Sequence, residues 1–249
     1  MTLHLLNTRP EARAGTLTLA LQAVGHRVSE LPLLQLDTLT VPAAIQAAWQ
    51  QPPRVREVVV VVSSLAAQQG LAQLGTGPAG RQWLAVGAVT ARSLQAAGLQ
   101  SGVPAQETSE GLLALPALQQ AERVWLWRGL GGRELLAQTA LARGQQLVAV
   151  DLYQRQPHPD RAQTWQDILQ QQGFPQGVLL TSGLGAQLWQ QLAGPRWAEP
   201  LLWVVGERIW RQLQAQSPSG SLRGAPLHDL QPATVLAALA VAQTDGVQT

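Results

Sequence analysis

The residues able to do chemistry gather in six short turns: Thr8-Arg9, Ser63-Ser64, Gly87 to Thr90, Arg128-Gly129 through Arg133, Thr181-Ser182-Gly183 and Gly206-Glu207. In each, an apolar run gives way to a helix-like pattern. A helix start leaves backbone N–H groups without partners and carries a partial positive charge, so it suits an anion. Glycine lets a ligand approach the backbone, hydroxyls cap the helix or donate, and arginine grips carboxylate or phosphate bidentately. Each element alone has an ordinary structural reading. Ser and Thr cap helices, Gly87 and Gly206 permit tight turns, and Arg9 and Arg128 can be solvated charges. The signal is that turns of one chemical type recur along the chain.

Tyr153 is the one tyrosine, beside one Phe and nine Trp. It falls where a strand-like run turns into Gln-Arg-Gln-Pro. Buried, its hydroxyl needs a partner; in a cleft, it is the one phenol available. Trp83, Trp125 and Trp203 lie in strand-like runs, and Trp49, Trp165, Trp189 and Trp210 in helical segments. Core or interface packing is the expectation for all of them.

Other chemistries are poorly served. There is no cysteine, and the four histidines (His4, His26, His158, His228) show no metal-ligand spacing. The chain has no lysine, hence no phosphate-binding Gly-Lys-Ser/Thr, and Gly129, Gly131 and Gly132 lack the third glycine of a dinucleotide loop because position 134 is Glu. The pI of 10.3 reflects arginine, which stays charged to very high pH, rather than a net charge of only +2. Without a basic run, nucleic acid is not an expected partner. At 46% hydrophobic the chain can bury a core. Its apolar runs fall short of the roughly 20 residues that span a bilayer. The opening Met-Thr-Leu-His-Leu-Leu-Asn does not read as a signal peptide. A soluble cytoplasmic protein without membrane contact is the expectation.

Strand-like and helix-like segments alternate to position these turns. Leu3 to Asn7, Val28 to Leu36, Val58 to Val62, Trp83 to Val86, Val124 to Trp127, Gln146 to Tyr153, Gly177 to Leu180 and Leu201 to Val205 read as strands. The continuous β-branched run at Val58 fits a parallel strand buried on both faces. Pro10 suits a helix start, and Gly25, Gly98 and Gly144 suit helix ends. Arg9 matches Arg128, Ser64 matches Ser182 and Gly87 matches Gly206, at spacings of 119, 118 and 119 residues. The near-constant offset reads as an internal duplication. The expected fold class is therefore α/β, with two similar parallel-sheet α/β domains and a cleft between them.

In order and spacing the motifs resemble the uroporphyrinogen-III synthase family over nearly the whole chain. The match runs through Asn-Thr-Arg-Pro (7–10), Leu-Pro-Leu-Leu (31–34), Val-Val-Ser-Ser (61–64), Ala-Val-Gly-Ala-Val-Thr-Ala (85–91) and Thr-Ser-Glu-Gly-Leu-Leu (108–113). It continues through Trp-Arg-Gly-Leu-Gly-Gly-Arg-Glu (127–134), Asp-Leu-Tyr-Gln-Arg (151–155) and Leu-Thr-Ser-Gly (180–183).

The resemblance implies domains joined by a two-stranded β-ladder, the first discontinuous (about residues 1–36 plus 155–249) and the second about 37–154. It implies hydroxymethylbilane as substrate, loss of its terminal hydroxyl, inversion of the last pyrrole through a spiro intermediate and ring closure to uroporphyrinogen III. This is hydro-lyase chemistry with no cofactor and no metal. A monomer is implied, with room for hand-over from hydroxymethylbilane synthase. Relatives place a tyrosine at the position of Tyr153, where a phenol that stays protonated at neutral pH can donate to the leaving oxygen. The competing role is a ring packed between domains with its hydroxyl on backbone. One departure stands out: the counterpart of Thr90 after Gly206 is Ile209, so the second hydroxyl is missing. A non-catalytic two-domain protein that binds a small anion remains the alternative, with a nucleotide-dependent α/β enzyme behind it.

Overall fold

A computed structural model describes residues 2–53, 55–132, 134–217 and 220–245. The chain divides into two compact units, Met1–Gln35 with Gln156–Thr249, and Leu36–Arg155. The strands are β1 (His4–Asn7), β2 (Arg27–Glu30), β3 (Leu34–Thr38), β4 (Glu57–Val61), β5 (Gln82–Ala85) and β6 (Ser101–Gly102), followed by β7 (Arg123–Gly129), β8 (Gln146–Pro157), β9 (Gly177–Leu180), β10 (Leu201–Val205) and β11 (Gly224–Leu227). They form a five-stranded sheet in the order β11-β10-β9-β1-β2 and a six-stranded sheet in the order β3-β8-β7-β4-β5-β6. Strands at matching points of the sequence offset hold matching places. In one sheet β9, β1 and β2 are neighbours; in the other, β4, β7 and β8 are.

Pairing is parallel from β11 through β2 and from β6 through β8. A parallel sheet connected by helices is covered on both faces, so its strands carry apolar side chains on both. Val59 and Val61 of β4 enter one core cluster and Val58 and Val60 another. In β7, Trp125 and Trp127 face the first of these clusters, Val124 and Leu126 the second. The five-stranded unit repeats the pattern, with Leu6, Val178 and Leu180 on one side and Leu5, Leu179 and Trp203 on the other. All seven tryptophans weighed from the sequence are buried.

Most strand limits fall within two residues of the sequence expectation, and two differ by more in kind or length. The segment Val28 to Leu36 is two strands, because Leu31-Pro32-Leu33 interrupts it and proline offers no N–H to a ladder. The pieces separate, β2 into the five-stranded sheet and β3 beside β8 in the other. Strand β8 continues to Pro157 instead of ending at Tyr153. Strands β3 and β8 contain the two points at which the chain passes between units.

Trp49, Trp83, Trp125 and Trp127 form one aromatic cluster with ring centroids 5.1–5.9 Å apart. Gly70 in the helix Ser64–Leu74 has no room for a Cβ, which would strike the Trp127 ring. Arg81 lies 4.3 Å over Trp49 and donates to Glu57 at 2.8 Å, both side chains being about fully buried. Trp125 donates to the same carboxylate oxygen as Arg81 at 2.9 Å, and Arg123 to the other at 2.8 Å. Burial alone would raise the Glu57 carboxyl, but hydrogen bonds from Arg81 and Trp125 and the charges of Arg81 and Arg123 pull it below its ordinary value.

A carboxyl lowered in the folded state stabilises the fold above its unfolded value, and that contribution is lost as pH falls through the folded value. Urea titrations should therefore show a Glu57-dependent loss of stability only below the ordinary carboxylate range of about 4.3. Glu57→Gln, which strands the Arg81 charge, should cost about 3 kcal/mol at neutral pH and flatten that acid dependence. An unchanged acid limb in Glu57→Gln would assign it to other groups.

Candidate functional site

The six-stranded unit holds a pocket of about 210 Å³, lined by residues that include Ser63, Ser109, Arg128, Gly129, Gly132, Tyr153 and Arg155. Its position follows from strand direction. In a parallel sheet the carboxyl ends of the strands share one edge, and ligands bind there. Ser63 follows β4, Gly129 ends β7, and Tyr153 lies beside it in β8.

The approach of Tyr153 to Gly129 depends on a register shift. Arg128 pairs with Asp151 but Gly129 pairs with Tyr153, so Leu152 is an extra residue in β8. Such bulges re-aim side chains and are frequent beside active sites. Leu130 N–H then donates to the Tyr153 carbonyl at 2.7 Å. A Cβ on Gly129 would lie 2.5 Å from the phenol ring carbon Cζ and 3.0 Å from Oη, so glycine here is what admits the ring.

Tyr153 is 3% exposed, yet its hydroxyl reaches the pocket. Oη is 3.2 Å from Ser63 Oγ and accepts from Arg155 Nη2 at 3.1 Å. Ser63 also caps the helix Ser64–Leu74, its Oγ accepting from Ala66 N–H at 3.1 Å. Arg128 is committed elsewhere: Nε donates to Asp151 at 2.8 Å and Nη1 to Glu134 at 3.0 Å. Burial works against its charge, but its hydrogen bonds to Glu134 and Asp151 and the charges of those carboxylates outweigh it and raise its pKa. In this structure Arg128 is thus ion-paired to two carboxylates rather than solvated. Arg155, which sequence reasoning passed over, is exposed, and no carboxylate pairs with it among the described residues. Its only cue was the spacing of two residues from Tyr153, which sets both on one side of a strand. Ser109 and Gly132 were missed too. Arg133 lies outside the described residues.

The remaining candidates of this unit do not line the pocket. Ser64 opens its helix behind Ser63. Gly87 precedes the helix Ala88–Gln95, whose first N–H, from Ala88, is taken by Glu107 at 3.0 Å; a side chain at position 87 would collide with that carboxylate. Thr90 is buried within the same helix.

The other six candidates belong to the five-stranded unit, at the carboxyl ends of β1, β9 and β10. The Thr8 hydroxyl donates to the Leu179 carbonyl, tying β1 to β9. Arg9 is half-buried, its Nη1 3.4 Å from the Leu230 carbonyl; burial, and then Arg13, lower its pKa. Ser182 caps the helix Gly183–Ala193, accepting from Gly185 N–H at 3.1 Å, while Thr181 precedes it half-buried and Gly183 has open space around it. Gly206 has a φ of +93°, a conformation that favours glycine. Ile209, the counterpart of Thr90, packs into the core. Exposed apolar side chains sit beside three of the turns: Val89, Leu130 and Leu184. Among the described residues no group of three or more His, Asp or Glu is placed to hold a metal.

The chain matches a family described as uroporphyrinogen-III synthase HemD over residues 15–217. A uroporphyrinogen-III synthase of Salmonella typhimurium is 32% identical over 169 residues, 61% of this chain and 65% of the relative. One from Escherichia coli K12 is 33% identical over 144 residues, 51% of this chain and 55% of the relative. The chain thus aligns with less than two thirds of these relatives' lengths. A uroporphyrinogen III synthase structure from Thermus thermophilus superposes with a TM-score of 0.70 at 17% identity, covering 98% of this chain and 100% of that one. One from Helicobacter pylori 26695 gives 0.63 at 13% identity, over 98% and 100%. At those identities the likeness is one of fold.

Gly129→Ala should destabilise the protein by about 1–3 kcal/mol in denaturant titration, since the buried ring and the strand backbone must both give way. Gly183→Ala, with open space around it, should stay within about 0.5 kcal/mol of the parent. Equal stabilities for the two variants would mean that Tyr153 is not held against Gly129.

Proposed function

The chain belongs to the uroporphyrinogen-III synthase HemD family, and we propose from that premise that it converts hydroxymethylbilane to uroporphyrinogen III. The observation that carries the proposal is the phenol of Tyr153 at the rim of a pocket built by Ser63, Gly129 and Arg155. At about 210 Å³ the pocket is smaller than the roughly 300–1,000 Å³ that encloses a drug-sized ligand. It takes one substituted pyrrole, the terminal ring that bears the leaving hydroxyl.

Tyr153 donates its proton as the carbon–oxygen bond breaks, and water leaves. The substituted carbon of the last ring attacks the exocyclic methylene of the resulting azafulvene. The spiro intermediate rearranges and closes, and the proton shed on closure restores the phenol. The net change is loss of one water, a hydro-lyase reaction. Carboxylates of the substrate meet backbone donors and hydroxyls at the carboxyl-edge turns, at Ser64 and Gly87 in one unit and at Thr181, Ser182, Gly183 and Gly206 in the other, while the buried Thr8 and Thr90 and the capping Ser63 shape those turns. Arg9 supplies a cation with no carboxylate partner among the described residues. Arg128 acts by fixing Asp151 and Glu134 around the pocket. The same proposal has the protein act as a cytoplasmic monomer that receives its short-lived substrate from hydroxymethylbilane synthase. Among the described residues no helix is long and apolar enough to cross a membrane.

The test is a coupled assay that generates hydroxymethylbilane in situ and resolves the product isomers chromatographically. The rearranged isomer III is expected; isomer I alone would leave anion binding as the function. Tyr153→Phe, which keeps the ring, should lower kcat at least about tenfold, a floor below the usual ~10²–10⁴-fold of general acid catalysis because the leaving group departs easily. Near-normal turnover would remove the phenol from the mechanism.

Arg9→Ala should chiefly raise KM. Loss of a charge-assisted contact worth about 1.5–3 kcal/mol corresponds to about tenfold or more. Unchanged KM in a folded variant would make Arg9 structural.

A further inference from the structure

A hydroxyl has one proton, and a phenol that donates it to a protein acceptor has none to give a substrate. The surroundings of Tyr153 Oη limit where that proton can go. Arg155 Nη2 lies 3.1 Å away, and a guanidinium only donates. Ser63 Oγ lies 3.2 Å away and already accepts the Ala66 N–H at 3.1 Å, so its own proton is available. If Ser63 donates, both lone-pair directions of Oη are filled from the protein. The phenol proton is then left pointing into the pocket.

We infer that Arg155, together with Ser63, is a positioning residue that fills the acceptor side of the Tyr153 hydroxyl and so aims its proton at the leaving oxygen. The inference rests on the activity proposed above. Arg155 has a second part. Its charge, unpaired by any carboxylate among the described residues, stands beside the oxygen that becomes negative once the proton has left. Arg128 cannot take this role, because its guanidinium is held by Asp151 and Glu134. The arrangement also accounts for the bulge. Tyr153 and Arg155, two residues apart, share a side of β8, and the extra Leu152 sets the pair against Gly129 and Ser63.

The experiment is a double-mutant cycle, because a residue that acts through the phenol has nothing to act on once the hydroxyl is gone. Arg155→Gln, Arg155→Lys and Ser63→Ala are made in the parent and in Tyr153→Phe, and kcat, KM and thermal midpoint are measured for each. In the parent, Arg155→Gln should lower kcat at least about fivefold with KM within about twofold, and Arg155→Lys should restore most of the loss. In Tyr153→Phe, neither Arg155→Gln nor Ser63→Ala should lower kcat further. Equal falls in both backgrounds overturn the inference. So does a rise in KM that persists without the hydroxyl, which would make Arg155 a carboxylate anchor. Arg155 is exposed, so its arm of the cycle stands even if loss of the Ser63 cap unfolds the other variant. Parent protein that yields no isomer III sinks the activity itself, whereas active parent without coupling sinks only this inference.

Discussion

Strands that run parallel and are joined by helices must be covered on both faces, and most of this structure follows from that requirement. It dictates the unbroken apolar runs of β4, β7 and β9, whose alternate residues feed different core clusters. It sends every carboxyl end in a sheet to one edge, where each chain turn becomes a helix start. Polar groups inside the sheets would be costly, so the chemistry is displaced to that edge. A buried charge sits at the other end of β4, where Glu57 is accepted because Arg81, Arg123 and Trp125 surround it.

Much of this was legible in the sequence because its cues are local. Apolar runs marked strands, Ser63 and Ser182 marked helix starts, and Gly25, Gly98 and Gly144 marked helix ends at positive φ. The weak strands β6 and β11 were not legible; they are short, and Gly102, Gly224 and Pro226 dilute their pattern. The break at Pro32 was present in the text of the chain, but Val28 to Leu36 reads as continuous until one knows that its halves join different sheets.

Site residues divide along the same line. Composition, turn position and the resemblance named Ser63, Gly129, Arg128 and Tyr153 as candidates; that these four line one pocket, and in what state, came from the structure. Whether an arginine is spare or spoken for depends on partners distant in sequence or around a turn. Asp151 takes Arg128 across a strand pair, whereas no carboxylate among the described residues takes Arg155. Likewise the bulge at Leu152 depends on two strands together, so no single segment announces it. Glu107 reaching the start of the Ala88–Gln95 helix is a third case, a loop carboxylate 19 residues from the N–H that donates to it.

The tryptophan cluster gives the six-stranded unit an optical identity. Trp49, Trp83, Trp125 and Trp127 stand with centroids 5.1–5.9 Å apart, mostly edge to face. Transition dipoles fixed at that range exchange excitation and split their absorption into bands of opposite circular dichroism. The five-stranded unit carries a different set, Trp165, Phe174 and Trp189. Each unit therefore absorbs polarised light with its own chiral pattern, set by packing and erased when that packing loosens. The chain carries a built-in, unit-by-unit signal of its own order.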